Sequence, residues 1–290
     1  MRAVAIFGRN AKPEDLAPFR RAHLDAHITQ ARSPEPGFDA ALILGGDGTV
    51  HRHLATLAET QIPLLVVPGG SANDFARSLG MHTKAAALRA WEHFCLGKGT
   101  LRQIDLGIIS PLTAATSDQR PDTANSIYYT CIASTGLDAE ANRRANALPP
   151  RLRARGGYVY AAIAEIARWT TQRITVATMT NTISEPATFV AVGNAPFYGD
   201  GMKMTPRAQL DDGLLDVCFV RHTSKRRLLT FFPTVFLGRH LSLPEVEYFQ
   251  TPCLRLETER PMDIYADGEY ICKTPVEISI KPRALRVISL

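Results

Sequence analysis

Lysine is scarce in this chain. Only seven residues (Lys12, Lys84, Lys98, Lys203, Lys225, Lys273 and Lys281) stand beside 26 arginines in a Lys+Arg total of 33, against 28 acidic residues and a formal charge of +5. The cationic excess is therefore arginine, whose planar fork suits phosphate and anionic surfaces. No Lys/Arg run with interleaved aromatics occurs, which excludes a nucleic-acid-binding tract. Cysteine is sparse as well. Cys95, Cys131, Cys218, Cys253 and Cys272 are odd in number, widely spaced and never in a CxxC pair. That pattern excludes a disulfide framework and a zinc knuckle. No apolar stretch approaches the roughly 18–20 residues needed to cross a bilayer. The run at residues 3–7 stops at Gly8, too short for a secretory signal. The expectation is a soluble, cytoplasmic protein without a transmembrane segment, with peripheral contact to a membrane left open.

What is present is globular in composition, with 45% hydrophobic and 21% charged residues over 290 positions. That length suits two domains with real cores. Residues 4–7, 40–44 and 62–67 read as short buried strands. Helical patterns follow at 51–59, 72–79 and 85–96, where Leu88, Trp91 and Cys95 recur at three- and four-residue spacing. Apolar strands alternating with helices imply a parallel sheet covered on both faces. After about residue 102 the pattern changes to short strands at 104–109, 127–132, 174–179, 187–192, 215–220, 254–257, 262–265 and 276–280. A polar loop fills 110–126, and helices are expected at 158–169 and 224–237. Short strands separated by turn residues suggest an antiparallel sandwich. The boundaries expected are an α/β domain over 1–102, joined by the C-terminal tail 281–290, and a β domain over 103–280.

Two glycine-rich corners carry the strongest local signal. Gly45-Gly46-Asp47-Gly48-Thr49 follows one strand directly and precedes a helix, at the carboxyl end of the sheet where open α/β folds bind ligands. Glycines let the backbone approach an anion, and unpaired N–H groups at a helix start point toward it. Asp47 can hold a metal or accept a proton there, and Thr49 can bond a phosphate oxygen. The alternative is a strand–helix turn in which Asp47 and Thr49 only cap the helix. The strand at 64–67 then runs into Pro68-Gly69-Gly70-Ser71-Ala72-Asn73-Asp74-Phe75-Ala76-Arg77, a second corner of the same kind. Neither is a Walker A loop or a GxGxxG fingerprint. Phosphate would be held here by backbone amides, hydroxyls and metal.

GGDGT followed by PGGSANDFAR resembles the catalytic domain of the diacylglycerol kinase superfamily, which includes bacterial lipid kinases and sphingosine kinases. The resemblance continues in order through Ser134-Thr135-Gly136-Leu137-Asp138-Ala139-Glu140, the Gly193–Met202 stretch GNAPFYGDGM, Asp211-Asp212-Gly213-Leu214-Leu215-Asp216, and Ala266-Asp267-Gly268-Glu269. It implies a Rossmann-like parallel-sheet nucleotide domain followed by an antiparallel β-sandwich domain, with the active site in the cleft between them. It also implies an ATP- and Mg²⁺-dependent lipid kinase acting on a lipid at a membrane surface. The nucleotide positions implied are Asn10, Gly45, Gly46, Gly48, Thr49, Gly69, Gly70, Ser71, Asn73 and Asp74, with Asp47 close to the phosphates and the metal. Glu269 falls on the family's proposed base for the lipid hydroxyl. Asp267 would share its strand face if the strand ran straight, and a plain hairpin turn is the alternative for Asp-Gly-Glu. The Asp211–Asp216 stretch resembles a structural Mg²⁺ site formed by Asp212 with the carbonyls of Gln209 and Leu214, or else a solvated acidic turn.

The chain departs from the family pattern in three places. The usual NPxSG after the first strand is Gly8-Arg9-Asn10-Ala11-Lys12, Ser71 replaces a Thr, and His51-Arg52 replaces the Asn-Glu pair after GGDGT. That last change keeps a catalytically weak nucleotide- or lipid-binding regulator in view, beside a kinase of NAD. His51 and His53, two apart on a helix, do not face one side and are no metal pair. Arg143, Arg144, Arg151, Arg153 and Arg155 form either a solvated loop or a headgroup surface. Lys225-Arg226-Arg227 heads an amphipathic helix that either docks on a bilayer or packs Leu229, Phe232 and Phe236 into the core. A homodimer is compatible with the sequence.

Overall fold

The computed structural model describes residues 1–112, 126–149, 152 and 157–290. Most of the polar loop expected over 110–126, and Arg151, Arg153 and Arg155, lie outside the described residues. The chain divides into two compact units, Met1–Leu106 with Pro282–Leu290, and Gly107–Lys281.

The first unit runs β1 (Arg2–Phe7), α1 (Ala17–Ala22), β2 (His27–Gln30), β3 (Ala40–Gly45), α2 (Asp47–His51), α3 (Leu54–Thr60), β4 (Leu64–Pro68), α4 (Asp74–Ser78), α5 (Lys84–Cys95) and the start of β5 (Thr100–Pro111). Its strands pair in parallel in the order β2-β1-β3-β4. β3 is buried at every position, as a strand covered on both faces must be. The returning C-terminal segment adds Val287 beside Leu64, also in parallel. The helix expected over 51–59 is two helices, because the chain breaks at Arg52–His53 before Leu54, Leu57 and Ala58 turn to the core. The next helix begins at Asp74 rather than 72, because Asn73 adopts a left-handed φ of 55°. β2 carries one buried residue, Ile28, which is too little pattern to read from sequence.

The second unit continues through β6 (Ile127–Tyr129), β7 (Ile132–Gly136), α6 (Leu137–Ala147), α7 (Tyr158–Arg168), β8 (Gln172–Ala177), β9 (Thr182–Gly193), β10 (Leu215–Arg221), α8 (Lys225–Phe236), β11 (Val246–Thr251), β12 (Cys253–Thr258), β13 (Asp263–Ala266), β14 (Glu269–Lys273) and β15 (Val276–Ser289). Its strands pair antiparallel in the order β14-β13-β7-β9-β8-β12-β15, with β10 joining β9 to β11. β9 pairs with β8 over its first half and with β7 over its second, so one long strand serves both layers of the sandwich. Inward positions such as Val190, Val192, Val217, Phe219, Leu254, Leu256, Ile264 and Ile278 form the core between them. The strand expected over 127–132 is split at Thr130–Cys131, and the helix α6 follows β7 where only a turn was expected. α6, α7 and α8 pack in sequence on this unit, and the buried Glu165 of α7 pairs with Arg144 of α6.

Candidate active-site loops

The two glycine corners touch each other backbone to backbone. A Cβ on Gly70 would lie 2.5 Å from the Gly46 Cα, and one on Gly46 would lie 2.8 Å from the Gly70 Cα. Only glycine fits on either side of such a contact. The Gly69 N–H donates to the Gly45 carbonyl at 3.0 Å. Asn73 closes the second corner from within: its Oδ1 accepts the Gly69 and Gly70 amides at 3.1 and 2.7 Å, and its Nδ2 donates to the Gly70 carbonyl at 2.8 Å. Asp47 ties the corners together. Its two carboxylate oxygens accept the Asp74 and Phe75 amides at 3.1 and 3.0 Å, so it caps α4 rather than its own helix. Asp74 is buried, with the Arg77 Nε 3.9 Å from its Oδ1. Thr49 is buried too, and its Oγ1 accepts the Arg52 Nη2 at 3.4 Å.

Several groups expected to meet phosphate are thus already committed to the loops themselves. Among the described residues, the amides of Gly48, Ser71 and Ala72 keep no hydrogen-bond partner, and Ser71 is exposed. Asn10 is exposed beyond β1, where the Gly8 amide is bonded to the Leu44 carbonyl at 2.8 Å. His53 is half-buried, and burial first, then the Arg52 charge, lowers its pKa.

In the second unit, Asp267 and Gly268 form a two-residue turn between β13 and β14, with φ of 50° and 82° and Ala266 opposite Glu269. This is the left-handed pair that a type I′ hairpin requires. The straight strand that would align Asp267 with Glu269 is therefore absent, and the two carboxylates do different things. Asp267 Oδ2 accepts the Thr130 amide at 2.8 Å and the Thr130 hydroxyl at 3.0 Å, while Oδ1 accepts the Cys131 amide at 2.8 Å. Asn194 binds the same Thr130–Cys131 segment, donating from Nδ2 to the Thr130 carbonyl and from its backbone N–H to that of Cys131. Glu269 begins β14 with its side chain exposed. The Asn146 Nδ2 donates to the Gly268 carbonyl at 2.8 Å, which holds the turn to α6.

Sequence reading missed a buried polar group and the cavity beside it. The Tyr198 hydroxyl donates to Asp138 Oδ2 at 3.0 Å, and the Asn142 Nδ2 donates to the Tyr198 oxygen and to the Asp138 carbonyl. Burial, and then the Asp138 charge, pushes the Tyr198 phenol well above its ordinary value. Asp138 also lines a small apolar cavity of about 40 Å³, bounded by Leu137, Phe189, Leu228, Phe231 and Phe232 among others. The inner face of α8 is Leu228, Phe231 and Val235, so of the two readings of this helix the core packing of Leu229 and Phe236 is not met: both are exposed, while Phe232 is half-buried. The signal for the cavity lay in the spacing of 228, 231, 232 and 235.

The Asp211–Asp216 stretch is a tight acidic turn. Asp212 Oδ1 accepts the Leu214 amide at 3.0 Å, and Gln250 reaches both Asp212 and the fully buried Asp216. Tyr248 donates to Asp216 at 2.7 Å, and burial raises the Asp216 pKa. Among the described residues no three His, Cys, Asp or Glu side chains gather as metal ligands. A carboxylate with neighbouring carbonyls is an all-oxygen set, which fits hydrated Mg²⁺ rather than zinc.

The diacylglycerol kinase catalytic domain model matches residues 15–109, and the YegS C-terminal NAD kinase beta sandwich-like domain matches residues 131–289, over half the chain. The chain belongs to the diacylglycerol kinase family of lipid kinases. This lipid kinase is 35% identical to a Mycobacterium tuberculosis protein named diacylglycerol kinase, over 91% of the chain and 81% of the relative. It is 29% identical to a Chromohalobacter salexigens protein named as a YegS-like lipid kinase, over 87% and 76% of the two chains. Its fold matches the crystal structure of a diacylglycerol kinase from Bacillus anthracis with a TM-score of 0.69 at 18% identity, covering 100% of this chain and 97% of that one. An Archaeoglobus fulgidus NAD kinase, solved in complex with ATP, matches at 0.54 and 11%, covering 100% and 93%. The lipid kinase thus shares its fold, though little sequence, with kinases of a soluble dinucleotide.

Proposed function

We propose that this lipid kinase transfers the γ-phosphoryl group of ATP to the hydroxyl of a diacylglycerol-like lipid, leaving ADP and a phosphatidic-acid-type product. The 35% identity to a protein named diacylglycerol kinase supports this choice of acceptor, and the small apolar cavity walled by Leu228, Phe231 and Phe232, with Asp138 as its one charged lining residue, agrees with it. At about 40 Å³ the cavity admits only the end of an acyl chain, and its apolar walls offer nothing to a second nucleotide. The nucleotide phosphates meet the amides of Gly48, Ser71 and Ala72 and the hydroxyls of Thr49 and Ser71. Gly45, Gly46, Gly69, Gly70, Asn73 and Asp74 give the two corners their shape, Asn10 flanks them, and Asp47 positions α4. Glu269, exposed at the start of β14, accepts the proton as the lipid oxygen bonds to phosphorus and the bond to the ADP oxygen breaks. Asp267 positions that glutamate through the turn. Mg²⁺, when bound, offsets negative charge on the phosphates. A second, structural Mg²⁺ is assigned to Asp212 with the carbonyls of Gln209 and Leu214.

One contact favours a second reading. The Arg52 side chain, which departs from the Glu of the family pattern that the sequence resembles, donates to the Thr49 hydroxyl, which suits a nucleotide binder of low turnover. Both readings meet one experiment: radiolabel transfer from ATP to diacylglycerol, sphingoid base or NAD in mixed micelles, with wild type and Glu269→Gln. Label should enter diacylglycerol and fall by at least about 10²-fold in the variant, with an unchanged melting temperature. Label on NAD alone overturns the acceptor. ATP binding without transfer to any acceptor selects the regulator.

A further inference from the structure

α7 and α8 each turn one face inward over the apolar cavity, and on both helices the outward face is apolar as well. On α7, Tyr160 is 61% exposed and Ile163 48%, and exposed Ala167 continues the same stripe. The one acid of that helix, Glu165, faces the other way, buried against Arg144. On α8, Leu229 (50%), Pro233 and Phe236 (38%) follow one line, and Leu237 (64%) extends it past the helix end. Leu228, Phe231 and Val235 occupy the opposite, buried face. The Lys225 Nζ donates to the Ala167 carbonyl at 2.5 Å, so the end of α7 and the start of α8 form one surface. A helix whose outer side meets only water carries polar residues there. These two do the reverse.

The rim of this surface is cationic. Lys225 and Arg226 stand at the start of α8 and Arg168 at the end of α7. Arg239 follows Gly238 just past the other end of α8, and the exposed Lys203 is held beside that end by its backbone N–H, which donates to the Val235 carbonyl at 3.1 Å. No Asp or Glu lies on either outward face. The remaining nearby cations are spent elsewhere: Arg143 pairs with Glu140, Arg144 with Glu165 and Arg227 with Glu245. An apolar stripe ringed by cations without a compensating acid fits the boundary of an anionic lipid layer. A protein partner of mixed charge would meet no acid here to pair with.

We infer that the outer face of α7 and α8 is the surface on which this protein sits on an anionic bilayer. Tyr160, Ile163, Leu229, Phe236 and Leu237 enter the acyl boundary, while Lys203, Arg226 and Arg239 lie at headgroup level. The choice of a bilayer over a protein partner rests on the lipid-acceptor reading, because the same two helices roof the cavity assigned to the acyl chain.

The test is co-sedimentation of the full chain, without nucleotide, with phosphatidylcholine vesicles containing or lacking about one-third phosphatidylglycerol. Wild type should bind the anionic vesicles at least about tenfold more tightly than the neutral ones. The double substitution Leu229→Ser with Phe236→Ser, and separately Arg226→Glu, should each weaken that binding by about tenfold or more. Melting temperatures should fall by no more than about a few degrees, since Leu229 and Arg226 are exposed and Phe236 packs only edge-on against Phe232. Transfer to monomeric short-chain diacylglycerol should also hold, while transfer to bilayer-embedded diacylglycerol falls. Variants that bind vesicles as wild type does, in an enzyme that still phosphorylates lipid, overturn the surface and leave the kinase reading intact. Vesicle binding lost in the variants, in a protein that phosphorylates no lipid, sustains the surface and removes the acceptor reading. A dimer in light scattering that the double substitution dissolves shows that a second copy covers this face, and that also overturns the proposal.

Discussion

Asp267 and Glu269 stand two residues apart and divide structure from chemistry. Asp267 receives three hydrogen bonds from Thr130 and Cys131, and its left-handed φ of 50° is one that Asn also tolerates. Asp267→Asn should therefore keep the turn and lose charge-assisted bonding, at about 1–2 kcal/mol. Asp267→Ala loses every bond and strains the turn, at about 2–4 kcal/mol. Urea denaturation of the two variants and of Glu269→Gln, expected to unfold with wild type, checks the division. An Asp267→Asn protein as stable as wild type yet inactive would assign Asp267 to the reaction instead. The sequence made both readings of Asp-Gly-Glu available, hairpin and functional motif, and the structure holds the hairpin together with an exposed glutamate. What it hid is the partner, since nothing local links Asp267 to an amide 137 residues earlier.

At the scale of elements, the same distance effect governs the glycine corners. Their strand–Gly–helix pattern was legible, because each corner is built from neighbours in the chain. Their contact was not, so the glycines read as openings for phosphate when Gly46 and Gly70 also make room for each other. Consecutive glycines are then predicted to differ. A Cβ on Gly70 meets the Gly46 backbone at 2.5 Å, which no side-chain rotation relieves, whereas one on Gly69 meets Gly45 at an ordinary 3.5 Å. Gly70→Ala should lower ATP affinity by at least about tenfold, or 1.4 kcal/mol, and lower the melting temperature, while Gly69→Ala melts near wild type. Calorimetric titration and thermal unfolding read both, and equal behaviour of the two variants would show that the corners do not pack this way. α8 teaches a related lesson. Periodicity reveals which residues share a stripe, but Leu228, Phe231 and Val235 form one apolar stripe while Leu229 and Phe236 form another. Spacing alone does not say which of two apolar stripes meets the core.

Across the whole molecule, ionisable groups shielded from water are concentrated in one unit, and this sets its response to alkali. Burial pushes up Tyr129, Tyr198, Tyr248 and Tyr265, and raises the thiols of Cys253 and Cys272 to about 11 and Cys218 to about 12. All seven lie in Gly107–Lys281; in the first unit Cys95 is raised to about 11. Each folded pKa is raised, so the unfolded chain releases these protons first, the thiols from about pH 8.5 and the phenols from about pH 10. Above those values the native state binds more protons than the unfolded one, and stability falls as pH rises, by up to about 1.4 kcal/mol per unit of pH for each proton retained. Below about pH 8 these groups contribute no slope. Urea denaturation between pH 8 and 11 should therefore show a constant region followed by a decline, borne mainly by the second unit. Tyr198→Phe removes the hydroxyl that donates to Asp138 and should cost about 1–3 kcal/mol at neutral pH, yet its decline above pH 10 should be shallower by about one proton. Phenolate absorbance supplies the independent measure: the buried tyrosines should stay protonated in the folded protein and titrate only as it unfolds. Ionisation of all eight tyrosines near their ordinary value, with the fold intact, would contradict the burial of Tyr129 and Tyr198 on which the prediction stands.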